Sequence, residues 1–116
     1  MRIASLRWPL SQDRVRQTPA DLQGVFTLWD GDECLYVGHT PWNRSLQACL
    51  GQLLDLRDEG VIRGTHFTWE TTAMPKSREY QLLALNLEKR GRLPRYNKAG
   101  SPLGGTNTSI TDLRAR

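Results

Sequence analysis

GVFTLWDGDECLYVG, at residues 24–38, consists of two short runs rich in β-branched and aromatic side chains on either side of an acidic turn. Asp30 and Gly31 begin that turn, and an Asp-Gly pair between apolar runs is a strong signal for a β-hairpin. The sequence therefore predicts two antiparallel strands, at residues 24–29 and 34–38.

A helix is predicted after this hairpin, because the spacing of the apolar residues changes there. Pro41 breaks the extended chain, and Asn43 has the residue type of a helix N-cap. Apolar residues then recur at helical spacing before a stop near Gly60; they are Leu46, Cys49, Leu50, Leu53 and Leu54. Such a stripe is typical of a helix with one buried face.

A further strand and a further helix complete the pattern. Residues 65–72 alternate, with Phe67 and Trp69 on one side and polar residues on the other, which predicts a half-buried strand. Pro75 suits the first turn of a helix, and Gly91 suits its end. The order strand, strand, helix, strand, helix predicts the α+β class, with a small antiparallel sheet of about three strands flanked by helices.

The length of 116 residues allows one domain with a single core. We expect this domain at residues 22–98, preceded by an N-terminal extension at 1–21 that contains a short helical turn. Residues 99–116 are rich in Gly, Ser, Thr and Asn, so we expect a poorly packed polar tail, which Ile110 and Leu113 would dock if it docks at all.

Three features of the sequence bear on location. No apolar run approaches the roughly eighteen residues of a membrane helix, and residues 1–5 lack the continuous apolar stretch of a secretory signal. Cys34 and Cys49 have no metal-ligand spacing, so we expect buried, reduced thiols and no disulfide. These features predict a cytoplasmic protein without a membrane partner.

The net charge of +4 is unevenly distributed. Residues 1–75 contain seven Arg against nine Asp or Glu, whereas residues 76–98 contain seven Lys or Arg against two Glu. A basic segment suits an anionic substrate, because phosphate contacts dominate the affinity of nucleic-acid-binding proteins. A solvated helix surface has the same composition, so charge alone leaves both interpretations open.

Four short motifs occur in a defined order: GVF at residues 24–26, YVG at 36–38, Arg-Glu at 78–79 and LPRYN at 93–97. This order resembles the GIY-YIG nuclease superfamily, whose members cut nucleic acid with one divalent metal ion. The resemblance implies metal-dependent phosphodiester hydrolysis, with Mg²⁺ or Mn²⁺ as cofactor and nucleic acid, DNA in the first instance, as partner.

The resemblance also implies roles for four residues. Tyr36 matches the tyrosine of the second motif and would act as a general base or orient a water molecule. Glu79 matches the metal-binding glutamate, and Asn97 would brace the site through hydrogen bonds to the backbone. His39 directly follows the second motif, where an imidazole can accept a proton or contact phosphate.

Three of these residues also have a purely structural interpretation. Tyr36 can be a half-buried strand residue, and His39 can be a surface histidine on a strand-to-helix loop. Glu79 lies in the first turn of its helix, where the macrodipole favours acidic residues whatever their function. The sequence leaves both interpretations open for each residue.

The chain departs from the family pattern at two positions. Phe26 stands where the first motif has tyrosine, and a phenyl ring has no hydroxyl. Leu46 stands where the family has a helix arginine, and because it begins the apolar stripe we expect it in the core. The nearest arginine is Arg44, the candidate replacement, but two residues amount to about 200° of helical rotation, so a different helix start or loop path is needed.

Trp42, Arg78 and Arg95 are the predicted contacts to nucleic acid. Trp42 lies on the loop after the second motif, where an indole can stack on a base, and the two arginines belong to the basic segment. Three functional interpretations stay open: an endonuclease with an altered site, a catalytically inactive nucleic-acid-binding domain, and a protein-interaction module on the same scaffold.

Overall fold

The computed structural model describes residues 7–97. In chain order its elements are β1 (Trp8–Pro9), α1 (Gln12–Arg16), β2 (Gly24–Asp30), β3 (Glu33–His39), α2 (Leu46–Asp58), β4 (His66–Thr71) and α3 (Pro75–Arg90). The predicted α+β class is confirmed, as is the short helical turn near the N-terminus. The predicted tail, with Ile110 and Leu113, lies outside the described residues. Within residues 7–97, no helix has the length and apolar character needed to cross a membrane.

The strands form one antiparallel sheet in the order β1-β4-β2-β3. The predicted hairpin is confirmed, and its turn contains Gly31 with a φ of +60°, which glycine adopts without strain. The fourth strand, β1, was not predicted. It is two residues long and pairs Trp8 with Phe67, and so short a segment carries no readable alternation of its own.

The pairing of β2 with β3 contains an irregularity that alters which side chains reach the core. Leu28 is opposite Tyr36 and Trp29 is opposite Cys34, so Leu35 has no partner residue on β2. An extra residue of this kind bends the strand locally. As a result, the neighbours Leu35 and Tyr36 both join the same core.

Each face of the sheet has its own core. The face toward α2 carries the larger one: Leu10, Val15, Phe26, Leu28, Leu35, Tyr36, Leu46, Cys49, Leu50, Leu53, Leu56, Ile62 and Phe67. Beneath α3 lies a smaller core of Trp29, Cys34, Val37 and Leu83. Since alternate residues of a strand share a face, His39 lies on the α3 side together with Val37.

The start of α2 differs from the prediction. Its N-cap is Ser45, whose Oγ accepts a hydrogen bond from the Ala48 amide at 3.2 Å. Asn43, the predicted N-cap, lies instead in a turn that the Arg44 amide closes by donating to the Pro41 carbonyl at 3.2 Å. The chain makes this turn before the helix begins, which is why the helix starts later than the residue types alone suggested.

Candidate active site

A glutamate and a histidine meet between α3 and the edge of the sheet. Only two residues of α3 are buried, Leu83 and Glu79. Glu79 is 3% exposed, and its Oε1 contacts Nδ1 of His39 at the end of β3. A carboxylate removed from water needs hydrogen-bond partners, and this imidazole is one of them. The structure thus brings together two residues that lie far apart in the sequence.

The contact with Glu79 determines the chemistry available to His39. When the ring is neutral and Nδ1 donates to a carboxylate, the ring's lone pair is on Nε2. The same contact holds the ring plane in one orientation. A side chain arranged in this way can accept a proton at Nε2, and in its charged form it can stabilise an anionic group.

Asn97 holds β3 in place. Its Oδ1 accepts a hydrogen bond from the Val37 amide at 2.8 Å, and its Nδ2 donates to the Val37 carbonyl at 2.9 Å. The neighbouring Tyr96 amide donates to the Leu35 carbonyl at 2.8 Å. This segment therefore satisfies backbone groups of the edge strand as a further strand would. These are hydrogen bonds to the backbone of the kind predicted for Asn97, and we class it as a positioning residue rather than a catalytic one.

The motif residues Phe26, Tyr36 and Gly38 pack against one another on the α2 side of the sheet. The two rings are both buried, with centroids 6.1 Å apart. A Cβ at Gly38 would lie 2.7 Å from each ring, too close for any side chain. Close packing thus accounts for the glycine at this position, and Phe26 contributes a ring surface without a hydroxyl.

Neither Leu46 nor Arg44 provides an arginine at the helix position where the family pattern has one. Leu46 is 0% exposed in the α2-side core, as its position in the apolar stripe predicted. Arg44 precedes the helix, and its guanidinium donates to Oε1 of Gln52 on α2. The contact the structure shows for Arg44 is therefore along α2 and not with the His39–Glu79 pair.

The predicted nucleic-acid contacts differ in their surroundings. Trp42 is strongly exposed in the turn between β3 and α2. Arg78 makes two hydrogen bonds to the Glu70 carboxylate, of 2.9 and 3.2 Å. Arg95 lies 3.5 Å from a carboxylate oxygen of Glu33. Both arginines are thus partly neutralised within the chain. Among the described residues of the basic segment, Arg95 is nevertheless exposed, as are Lys76, Lys89, Arg90 and Arg92.

Glu70 is a component of this region that the sequence analysis did not single out. In the sheet register, His39 is opposite Val25, and Val25 is opposite Glu70, so the three lie in one row across the sheet. The Glu70–Arg78 pair thus shares the α3 side of this row with the His39–Glu79 pair. The alternation along β4 indicates this placement, because Glu70 falls on the opposite side of the strand from Phe67 and Trp69.

The acidic and histidine side chains set a limit on metal binding. In the part of the chain that the structure describes, no group of three or more His, Cys, Asp or Glu could hold a metal ion. The Glu79 carboxylate and the His39 imidazole therefore offer few ligands for a metal ion. Mg²⁺ commonly binds proteins through one or two carboxylates and keeps several waters, so this donor set fits a hydrated hard cation and no tightly caged one.

Comparison of the chain with protein-family models, with curated proteins and with solved structures finds no match in any of the three.

Proposed function

We propose that this protein acts on nucleic acid as a GIY-YIG-like, metal-dependent phosphodiesterase with an altered active site centred on His39 and Glu79. One observation carries the proposal. Of the two residues that α3 buries, one is a glutamate, and it lies against the histidine that follows the second motif. Burial of ionisable pairs contributes little to stability and is frequent at active sites.

The residues of the site have distinct parts in this proposal. Glu79 would hold Mg²⁺ or Mn²⁺, which when bound supplies charge stabilisation on the phosphoryl oxygens and activates water. His39, oriented by Glu79, takes up a proton at Nε2 or contacts the phosphate. Tyr36 is buried in the core on the other face of the sheet, toward α2, so it has no proton-transfer or water-orienting role in this proposal. Asn97 keeps β3, and with it His39, in position.

A second candidate function is nucleic-acid binding without cleavage. It is favoured by the loss of two groups on which the family pattern relies. Phe26 has no hydroxyl, and Leu46 is a core residue. Removing a single group that stabilises the transition state typically costs about a hundredfold or more in rate. Cleavage by this chain, if it occurs, is therefore expected to be slow.

The test is cleavage of labelled single-stranded DNA, duplex DNA, branched DNA and single-stranded RNA with Mg²⁺, with Mn²⁺ and with EDTA. Wild type should cut at least one substrate only in the presence of the metal, and Glu79→Gln should reduce the rate about a hundredfold or more. Glu88→Gln is the matched control, because it removes the same charge from an exposed position of the same helix. It should cut like wild type.

The outcomes separate the candidate functions. Cleavage that persists in Glu79→Gln contradicts the proposed centre. Binding to nucleic acid without metal-dependent cleavage supports the binding-only function. Absence of both binding and cleavage leaves the protein-interaction module as the remaining interpretation.

A further inference from the structure

The turn between β3 and α2 presents an indole to solvent. Trp42 is 87% exposed and lies three residues after His39. The other tryptophans are engaged with the fold: Trp29 and Trp69 pack against the two cores, and Trp8 lies under the Arg14 guanidinium at 4.9 Å. Within residues 7–97, Trp42 is thus a large apolar surface that the fold does not cover, on the turn that directly follows the strand of His39.

Hydrogen bonds hold this turn on both sides. The Thr40 amide donates to the Gly24 carbonyl at 2.9 Å, and the Gly24 amide donates back to Oγ1 of Thr40 at 3.0 Å. Nearer the tip, the Pro41 carbonyl accepts from Nε2 of Gln23 at 2.7 Å and from the Arg44 amide at 3.2 Å. The backbone that carries the indole is therefore organised before any partner binds, which lowers the entropy cost of binding.

We propose that Trp42 stacks on an unpaired base and that the protein thereby selects single-stranded nucleic acid, or a single-stranded segment of a larger structure, over continuous duplex. This inference rests on the proposed function. Every base has a π-face that an aromatic side chain can cover, but inside a duplex the neighbouring bases cover both faces. An indole on a short turn reaches such a face only where the base is unpaired or terminal.

The charges of the domain cannot distinguish single-stranded from double-stranded nucleic acid, so the indole of Trp42 has to do so. Phosphate contacts carry no information on base pairing, and they are what basic side chains provide. Arg78 and Arg95 are in addition paired with Glu70 and Glu33 within the chain. Stacking should therefore decide between a single strand and a duplex, whereas the exposed cations Lys76, Lys89, Arg90 and Arg92 would add affinity for both, and that part falls with added salt.

The test measures the binding of dye-labelled oligonucleotides by fluorescence anisotropy in EDTA, where no strand is cut. The ligands are single-stranded DNA, the same sequence as RNA, the same DNA as a blunt duplex, and an abasic DNA strand with the same number of phosphates. The abasic strand keeps the charge and removes the bases. Trp42→Ala, Trp42→Phe and Tyr80→Ala are compared with wild type. Tyr80→Ala is the matched control, because Tyr80 is a half-exposed aromatic residue elsewhere, on α3.

Trp42→Ala should bind the intact single strands about tenfold more weakly than wild type, whereas Trp42→Phe, which keeps an aromatic face, should bind nearly as well. Tyr80→Ala should bind like wild type. The duplex and the abasic strand should bind wild type as weakly as the intact strand binds Trp42→Ala. Equal loss on DNA and RNA shows a base contact alone, and a loss on one of them shows that the sugar contributes.

Equal affinity of wild type and Trp42→Ala for the intact single strand would overturn the inference. So would an equal loss on the abasic strand, because the change would then act without a base. If Glu79-dependent cleavage is present and Trp42→Ala binds and cuts like wild type, this inference fails and the proposed function stands. If stacking is present and cleavage is absent, the inference stands for a binding protein. If wild type binds no nucleic acid, both fail.

Discussion

The two faces of the sheet bury different kinds of side chain. Toward α2 the core is apolar, and it includes the fully buried Leu46 at the start of that helix. Toward α3 the sheet also buries hydrogen-bonded polar groups, among them the Thr27–Thr68 pair and the His39–Glu79 pair. Apolar burial is the main source of folding free energy, whereas buried ion pairs add little. The comparison indicates that the α2 face stabilises the domain and the α3 face carries the candidate chemistry.

The largest effect expected is on the α2 face. Leu46→Arg places a charge in the apolar core and should lower the free energy of unfolding by several kcal/mol, roughly 3 to 5. It should therefore fail to restore the missing arginine of the family pattern. Urea denaturation followed by circular dichroism measures the loss. Ala48→Arg, at an exposed position of the same helix, is the control and should change stability little. A stable Leu46→Arg variant would show that this end of the α2 face tolerates a charge.

The second-largest effect on stability is expected at β3, which contributes side chains to both faces of the sheet. Asn97→Ala removes two hydrogen bonds from the buried backbone of Val37 and should cost about 2 kcal/mol of unfolding free energy. Faster amide hydrogen exchange at Val37 would locate the loss on β3. Asn43→Ala, in the exposed turn before α2, is the control and should change both quantities only slightly. Unchanged exchange at Val37 would contradict the bracing role.

On the α3 face the expected change in stability is small. Glu79→Gln keeps the shape of the side chain and an oxygen that can accept a hydrogen bond from Nδ1 of a neutral His39. No buried group then loses its hydrogen bond, so the free energy of unfolding should change by about 1 kcal/mol or less. The same variant should lose cleavage, which would separate function from stability at one residue. A loss comparable with that of Leu46→Arg would mean that the pair is a structural element and that the contrast between the faces is wrong.

The smallest expected effect is a difference in reactivity between the two buried thiols, one on each face of the sheet. Cys34 lies on the α3 side and Cys49 on the α2 side, and burial raises the pKa of each thiol to about 11. At pH 8 both should react slowly with a disulfide reagent and fast once the chain is unfolded. In Cys34→Ser and Cys49→Ser variants, the thiol that remains reports the opening of its own face. We expect Cys49 to react more slowly, because its core is larger; the reverse order would contradict this.

The raised thiol pKa also sets a pH dependence of stability. The unfolded chain releases these protons near the ordinary value of 9.0, and the folded chain holds them until about pH 11. Between those values the folded state binds more protons than the unfolded state, so the free energy of unfolding falls as pH rises. Denaturation curves at pH 8 and pH 10 measure it, and the double Cys→Ser variant should lose this part of the dependence.

Local patterns in the sequence were sufficient for most of the fold. The Asp-Gly turn predicted the β2–β3 hairpin, the apolar stripe predicted α2 with Leu46 in the core, and the pair Pro75 and Gly91 predicted the ends of α3. In each case the signal lies within a few neighbouring residues. The N-cap of α2 was mispredicted at Asn43 because a backbone turn, which depends on the path of the chain, comes before the helix.

By itself, the sequence determined the α+β class, the order of the elements from β2 to α3 and the motif residues, since propensity and periodicity are properties of short segments. Only the tertiary structure decided that His39 and Glu79 share a buried contact, that Asn97 serves the backbone of Val37, and that β1 joins the sheet. These depend on groups distant in the chain, brought together because buried backbone and carboxylate groups must find partners once water is excluded.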